Sequence, residues 1–193
     1  MLNRVPVRQN ALLLLLAAAV LLGFNASKAN AANYAIDSSH ASAVFCVNHK
    51  GFSYTYGMFT KMIGSVEFDE AKPAESKFEL TIDAQSITTG NEARDKHLRG
   101  ADFFNVKQFR TLKFVSSSVK PAGDDQMEVT GNLTILGKSK PITFQLTKIG
   151  VSEEVIGFAT ELSIKRSEFG MTYGVGPIGD DVKIMISFEA NPK

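Results

Sequence analysis

The chain has 193 residues, with 21 Lys and Arg against 20 Asp and Glu, one cysteine and no tryptophan. A balance this close to neutral gives no electrostatic footprint for nucleic acid. A single cysteine excludes an internal disulfide, so the core must carry the stability unaided.

Arg4 and Arg8 precede an apolar run over 11–24, and Ala29 and Ala31 stand at small-residue positions beyond it. That order predicts a secretory signal peptide over 1–31. The run is short for a membrane span, which needs about 20 residues, and no cysteine follows it to take a lipid. Cleavage would remove Arg4, Arg8 and Lys28 and no acid. The remaining 32–193 hold 18 basic and 20 acidic residues, a net charge of −2, and have the size of one domain.

Apolar and polar residues alternate through most of 32–193, which predicts half-solvated antiparallel strands. In "AVFCVN" (43–48), Val44 and Cys46 share one face and Phe45 and Val47 the other. Cys46 is expected as a buried free thiol on a strand. Between about 54 and 68, Gly57 and Gly64 suggest bends or bulges. "KFELTID" (77–83) aligns Phe78, Leu80 and Ile82, and "TLKFVS" (111–116) aligns Leu112 and Phe114. "QMEVTGNLTIL" (126–136) aligns Met127, Val129, Leu133 and Ile135, and "PITFQLTK" (141–148) aligns Ile142, Phe144 and Leu146. "IGFATELSIK" (156–165) and "DVKIMISFEA" (181–190) do the same with Phe158, Leu162 and Ile164, and with Val182, Ile184, Ile186 and Phe188. Turn residues over 69–76, 120–126, 137–141 and 150–154 predict hairpin loops. About eight strands in one domain suit a closed barrel, which removes exposed edges. Its interior is either filled by side chains or hollow enough for one small ligand. Both need the same alternation, so periodicity does not separate them.

Two segments break the pattern. "NEARDKHLRGADFF" (91–104) predicts a short helix capped by Asn91 and ended at Gly100. Glu92 with Lys96, and Asp95 with Arg99, stand at ion-pair spacing. The helix has almost no apolar face, yet Phe103 and Phe104 follow it, and burying each ring is worth roughly 1.5–3 kcal/mol. The segment is therefore expected to cap a barrel mouth with one or both rings turned inward. The glycine-rich stretch 165–181 must also cross an end of the structure.

In their order, "YAIDSSHASAVFCVNHKGFSYTYGMF", "SITTGNEARDKHLRGADFF", "VTGNLTILGKSKPITF", "IKRSEFGM" and "IGDDVKIMISFEA" resemble the YceI-like family of bacterial periplasmic, polyisoprenoid-binding proteins. The resemblance spans about 33–190. It departs at Arg110, where the family tends to place proline. The resemblance implies an all-β, lipocalin-like antiparallel barrel with a short cap helix. It implies a non-catalytic binding or carrier role for an isoprenoid, quinone or similar lipid, with no other cofactor. It also implies frequent homodimers, a periplasmic location and, through some relatives, a b561-type membrane cytochrome as partner.

On that basis and on parity, the expected apolar lining is Phe45, Phe78, Leu80, Phe104, Leu112, Phe114, Leu133, Ile135, Phe144, Phe158, Leu162 and Ile184. Head-group or cap positions are Arg94, Asp95, His97, Arg166 and Ser167. Rival classes find weaker support. His40 and His49 are nine apart, so on one unbroken strand they face opposite sides, which disfavours a metal site. No nucleophile elbow, zincin motif or phosphate loop is present, and the adjacent Asp180 and Asp181 on a strand make a poor acid–base pair. A filled-core structural or stress-response module acting through its surface is the remaining alternative.

Overall fold

Every long alternating run forms a strand. The computed structural model describes residues 32–193, so the leader expected over 1–31 lies outside the described residues. In chain order the elements are β1 (Ala32–His49), β2 (Ser53–Phe59), β3 (Met62–Phe68), β4 (Lys77–Asp83), β5 (Ile87–Thr88), α1 (Glu92–Leu98), β6 (Thr111–Pro121), β7 (Gln126–Ile135), β8 (Lys138–Val151), β9 (Ile156–Lys165) and β10 (Ile178–Pro192). All pairings between these strands are antiparallel, and β10 returns to pair with β1, which closes the sheet. The barrel has eight staves, because β2 with β3 and β4 with β5 each act as one interrupted stave.

Register follows from the alternation, since a slip by one residue would turn every apolar side chain outward. Phe45, Val47 and Ala43 on β1 face inward, whereas Cys46 lies on the outer face opposite Tyr56 and Lys183. The thiol is free and buried because its cross-strand neighbours cover it.

The glycines of β2 and β3 do not mark bulges. Phe45 pairs with Gly57 and Gly64 with Leu80 in unbroken register. Each glycine instead allows a close approach: a Cβ at Gly57 would overlap the Phe45 ring, and one at Gly64 would overlap the Glu79 carbonyl. The true irregularities lie between Ile36 and Ala41 and between Val47 and His49 of β1, Ser116 and Ser118 of β6, and Lys148 and Gly150 of β8. Bulges like these bend strands and let a sheet close.

The expected loop over 137–141 is shorter than its composition suggests. Leu136 and Gly137 take left-handed dihedrals in a two-residue turn, the geometry that matches strand twist. Lys138–Pro141 already belong to β8.

Two apolar clusters fill the two ends of the barrel. At one end Tyr34, Phe68, Phe78, Met127, Phe158 and Phe188 pack together. The Phe158 ring centroid lies 5.6 Å from Phe68, 5.2 Å from Phe78 and 5.6 Å from Phe188. These edge-on and tilted contacts are the geometries that aromatic quadrupoles favour. At the other end Phe59, Ile87, Phe103, Leu112, Ile135, Phe169 and Met171 form a second cluster beneath α1 and the segment 166–171. The first cluster is the floor of the barrel and the second its lid.

Candidate functional site

Between floor and lid lies a cavity of about 670 Å³. That is within the roughly 300–1,000 Å³ range of small-ligand sites, and it speaks against a filled core. Phe45, Phe78, Leu80, Phe104, Leu112, Phe114, Leu133, Ile135, Phe144, Leu162 and Ile184 all border it. Phe158 does not. It is fully buried in the floor, where the barrel has narrowed enough for side chains from opposite staves to meet. Strand parity put it on the inner face but carried no information about depth along the axis.

The cavity wall also includes Ile82, Ile142, Val182 and Ile186, which share parity with predicted lining on their own strands and were legible. Phe59, Phe169 and Met171 join them. The last two come from the irregular segment, where no period reveals an inward direction.

Polar groups border the cavity at one end. They are His49, Ser53 and Thr55 from the β1–β2 hairpin and Thr89, Arg94 and His97 from the cap, which follows β5 beside β2. Arg94 donates from Nε to the Thr89 hydroxyl at 2.7 Å and from Nη2 to the Thr89 carbonyl at 3.0 Å. Among the described residues it makes no ion pair, so its charge is available at the cavity rim. The His97 ring packs against Phe103 at 5.0 Å and Tyr173 at 5.2 Å, and its Nε2 meets Asp102 at 2.9 Å.

Asp95 is turned away from the cavity and buried. It accepts from the Thr88 hydroxyl at 3.0 Å, the Thr89 N–H at 2.8 Å and the Thr89 hydroxyl at 2.6 Å. Burial alone would raise its pKa. The hydrogen bonds from Thr89 and Thr88, helped by the Arg99 charge, outweigh that and hold it below the usual carboxylate range. The expected helix ion pairs therefore do not form. Asp95 bonds threonines, and Arg99 reaches across to the carbonyls of Gln85 (3.0 Å) and Ile87 (2.5 Å). The charges of α1 tie the lid to β5 rather than to one another. The Asn91 side chain does cap the helix, accepting from the Arg94 N–H at 3.0 Å, and Phe103 and Phe104 both turn inward.

Arg166 occupies a comparable post in the second irregular segment. It is buried, and burial pushes its guanidinium pKa down, with Asp180 opposing. Its donors go to the carbonyls of Met171, Tyr173, Ile178 and Gly179, all at 2.8–2.9 Å. One side chain thus satisfies most of a glycine-rich loop whose carbonyls would otherwise be unpaired. Ser167 donates its N–H and hydroxyl to Asp180 at 2.9 and 2.8 Å, which holds that carboxyl below its ordinary pKa. Asp181 pairs with Lys165 instead, so the two aspartates diverge. Arg166 borders the cavity, but Asp95 and Ser167 do not.

Among the described residues no group of three or more His, Cys, Asp and Glu is placed to hold a metal. His40 sits in the β1 bulge, with Nδ1 2.8 Å from Asp37. The Asp37 hydrogen bond and charge raise the His40 pKa. His49 is the last residue of β1, nine residues away.

Comparison with known proteins places this geometry. The YceI-like domain matches residues 34–190. The chain belongs to the YceI-like family. Protein YceI of Salmonella arizonae is 39% identical over 173 residues, covering 86% of this chain and 90% of the relative. The crystal structure of Burkholderia cenocepacia BcnA superimposes with a TM-score of 0.76 at 31% identity, over 81% of this chain and 99% of that one. A YceI protein from Campylobacter jejuni gives 0.69 at 32% identity, over 76% and 90%. A polyisoprenoid binding domain from Saccharophagus degradans gives 0.71 at 18% identity, over 84% and 99%, which shows a shared fold. As a YceI-like protein the chain keeps a family barrel in which both irregular segments gather at one end.

Proposed function

We propose that this YceI-like protein is an exported, non-catalytic lipid-binding protein that holds an isoprenoid, quinone or similar chain inside the barrel. The observation that carries the reading is the apolar cavity of about 670 Å³ between an aromatic floor and a tethered lid, with most of its polar groups at the lid end. Each buried CH₂ contributes about 0.8 kcal/mol, so ten of them give about 8 kcal/mol, close to micromolar affinity. No catalytic group is needed for that. Arg94, with His97 beside it, would meet a polar head group, while Asp95, Arg99, Arg166 and Ser167 hold the lid in place. The Saccharophagus degradans domain is described as polyisoprenoid binding, which supports a chain-like ligand here. A periplasmic location would follow from the leader expected over 1–31, and a homodimer and a b561-type cytochrome partner from the family resemblance.

The test is mass spectrometry of organic-solvent extracts from protein purified out of its native periplasm. A stoichiometric isoprenoid, quinone or long-chain lipid is expected. Finding none, together with refusal of added quinones by the folded protein, would overturn the reading.

A further inference from the structure

Exposed aromatic side chains gather around the lid, whereas exposed apolar residues of the walls and floor, such as Ile63, Ile149 and Val151, are mostly aliphatic. Phe52 projects from the β1–β2 turn with 93% of its surface exposed, and Tyr54 beside it is 62% exposed. Lys50 and Gly51 take left-handed dihedrals in that turn, and the turn is closed by the Phe52 N–H donating to the His49 carbonyl at 3.1 Å. The Lys50 N–H donates to the Pro177 carbonyl at 2.7 Å. That bond braces the tip against the segment carrying Tyr173 and Val175, which are 47% and 45% exposed. Exposed apolar side chains gathered at one end of a molecule mark an interaction surface, where a single scattered one would not.

Charge is divided along the barrel in the same sense. The segments at the lid end (50–52, 89–110, 136–141 and 165–181) hold ten Lys and Arg against six Asp and Glu, a net +4. Those at the floor end (32–37, 67–77, 120–128, 148–155 and 189–193) hold five against eleven, a net −6. The walls cancel, which returns the −2 of residues 32–193. Residues 32–193, acidic overall, therefore present a basic, aromatic-tipped face at the end where most of the polar groups border the cavity. Exposed aromatic rings with interspersed basic residues suit the boundary between head groups and acyl chains, and the basic excess attracts anionic lipid.

We propose that the lid end docks on an anionic phospholipid bilayer, with Phe52 entering the interface and the acidic floor pointing away. This goes beyond cavity binding. It describes where the barrel would face a membrane, and vesicle binding is independent of what the cavity holds.

The chain has no tryptophan, so single-tryptophan variants report their own surroundings. Phe52→Trp probes the tip. Ile149→Trp, at an exposed position in the β8 bulge towards the floor, is the control. Vesicles of phosphatidylcholine, with or without phosphatidylglycerol, are added to residues 32–193. Expected results are flotation with the anionic vesicles, a blue-shifted emission for Phe52→Trp and no shift for Ile149→Trp. Phe52→Ser, a change in an exposed turn, should lower partitioning roughly tenfold or more. Salt near 1 M, where the Debye length is about 3 Å, should weaken it further. Absence of flotation at low salt would overturn the proposal, including where the tip binds only a protein partner. So would undiminished flotation of Phe52→Ser, or equal responses at the two tryptophan positions. Unchanged lipid content in Phe52→Ser protein would keep this outcome separate from the fate of the cavity reading.

Discussion

Replacing Phe158 by alanine separates the floor from the cavity wall. The ring is fully buried, meets three other phenylalanine rings within 5.6 Å and does not border the cavity. Transfer of the ring alone accounts for roughly 1.5–3 kcal/mol. The three partners sit on β3, β4 and β10, so they cannot collapse together without moving staves. The void therefore persists, and the full cost is about 3–5 kcal/mol. For a domain of this size that lowers Tm by roughly 6–20 °C. Phe144→Ala is the contrast. Phe144 packs on Phe114 at 5.2 Å but borders the cavity, so its ring already lacks partners on one side. Its loss should cost less than half as much in lipid-free protein. Urea denaturation of both delipidated variants checks the difference. Equal destabilisation, or a Phe158→Ala cost below about 1 kcal/mol, would refute the division into packed floor and open cavity.

Asp95 gives a pH signature. Its folded pKa lies below the unfolded value, so its stabilising contribution is complete above about pH 4 and disappears as pH falls through the lower folded value. Asp95→Asn should cost about 1–3 kcal/mol at pH 7, and thermal melts of the two proteins should converge in strong acid; a constant gap would contradict the threonine network. Arg94→Ala should weaken a quinone more than a bare hydrocarbon of equal length in a titration, since only the former has a polar head; equal losses would remove Arg94 from head-group recognition. Cys46, buried beneath its strand neighbours, should react slowly with a thiol reagent in the native protein and rapidly in urea; fast native labelling would sink that expectation.

The strands and their inward faces were legible in the sequence, because a side-chain period of two is a local property. Phe78, Leu80 and Ile82 face the same way whatever the rest of the chain does. The inward turn of Phe103 and Phe104 was legible as well, since rings of that size seldom stay in water beside a helix with no apolar face. Three matters were decided only in three dimensions. Depth along the barrel axis depends on how far opposite staves approach each other, so Phe158 became floor and Leu162, four residues later on the same face, became cavity wall. The partners of the lid charges depend on which backbone carbonyls the closed barrel leaves unpaired, so Arg99 and Arg166 bind carbonyls far along the chain and Asp95 binds two threonines. The polarity of the whole molecule, basic at the lid and acidic at the floor, appears nowhere in a net charge of −2. It arises because antiparallel strands carry successive loops to alternate ends, and that folding sorts the charges of neighbouring loops onto opposite poles.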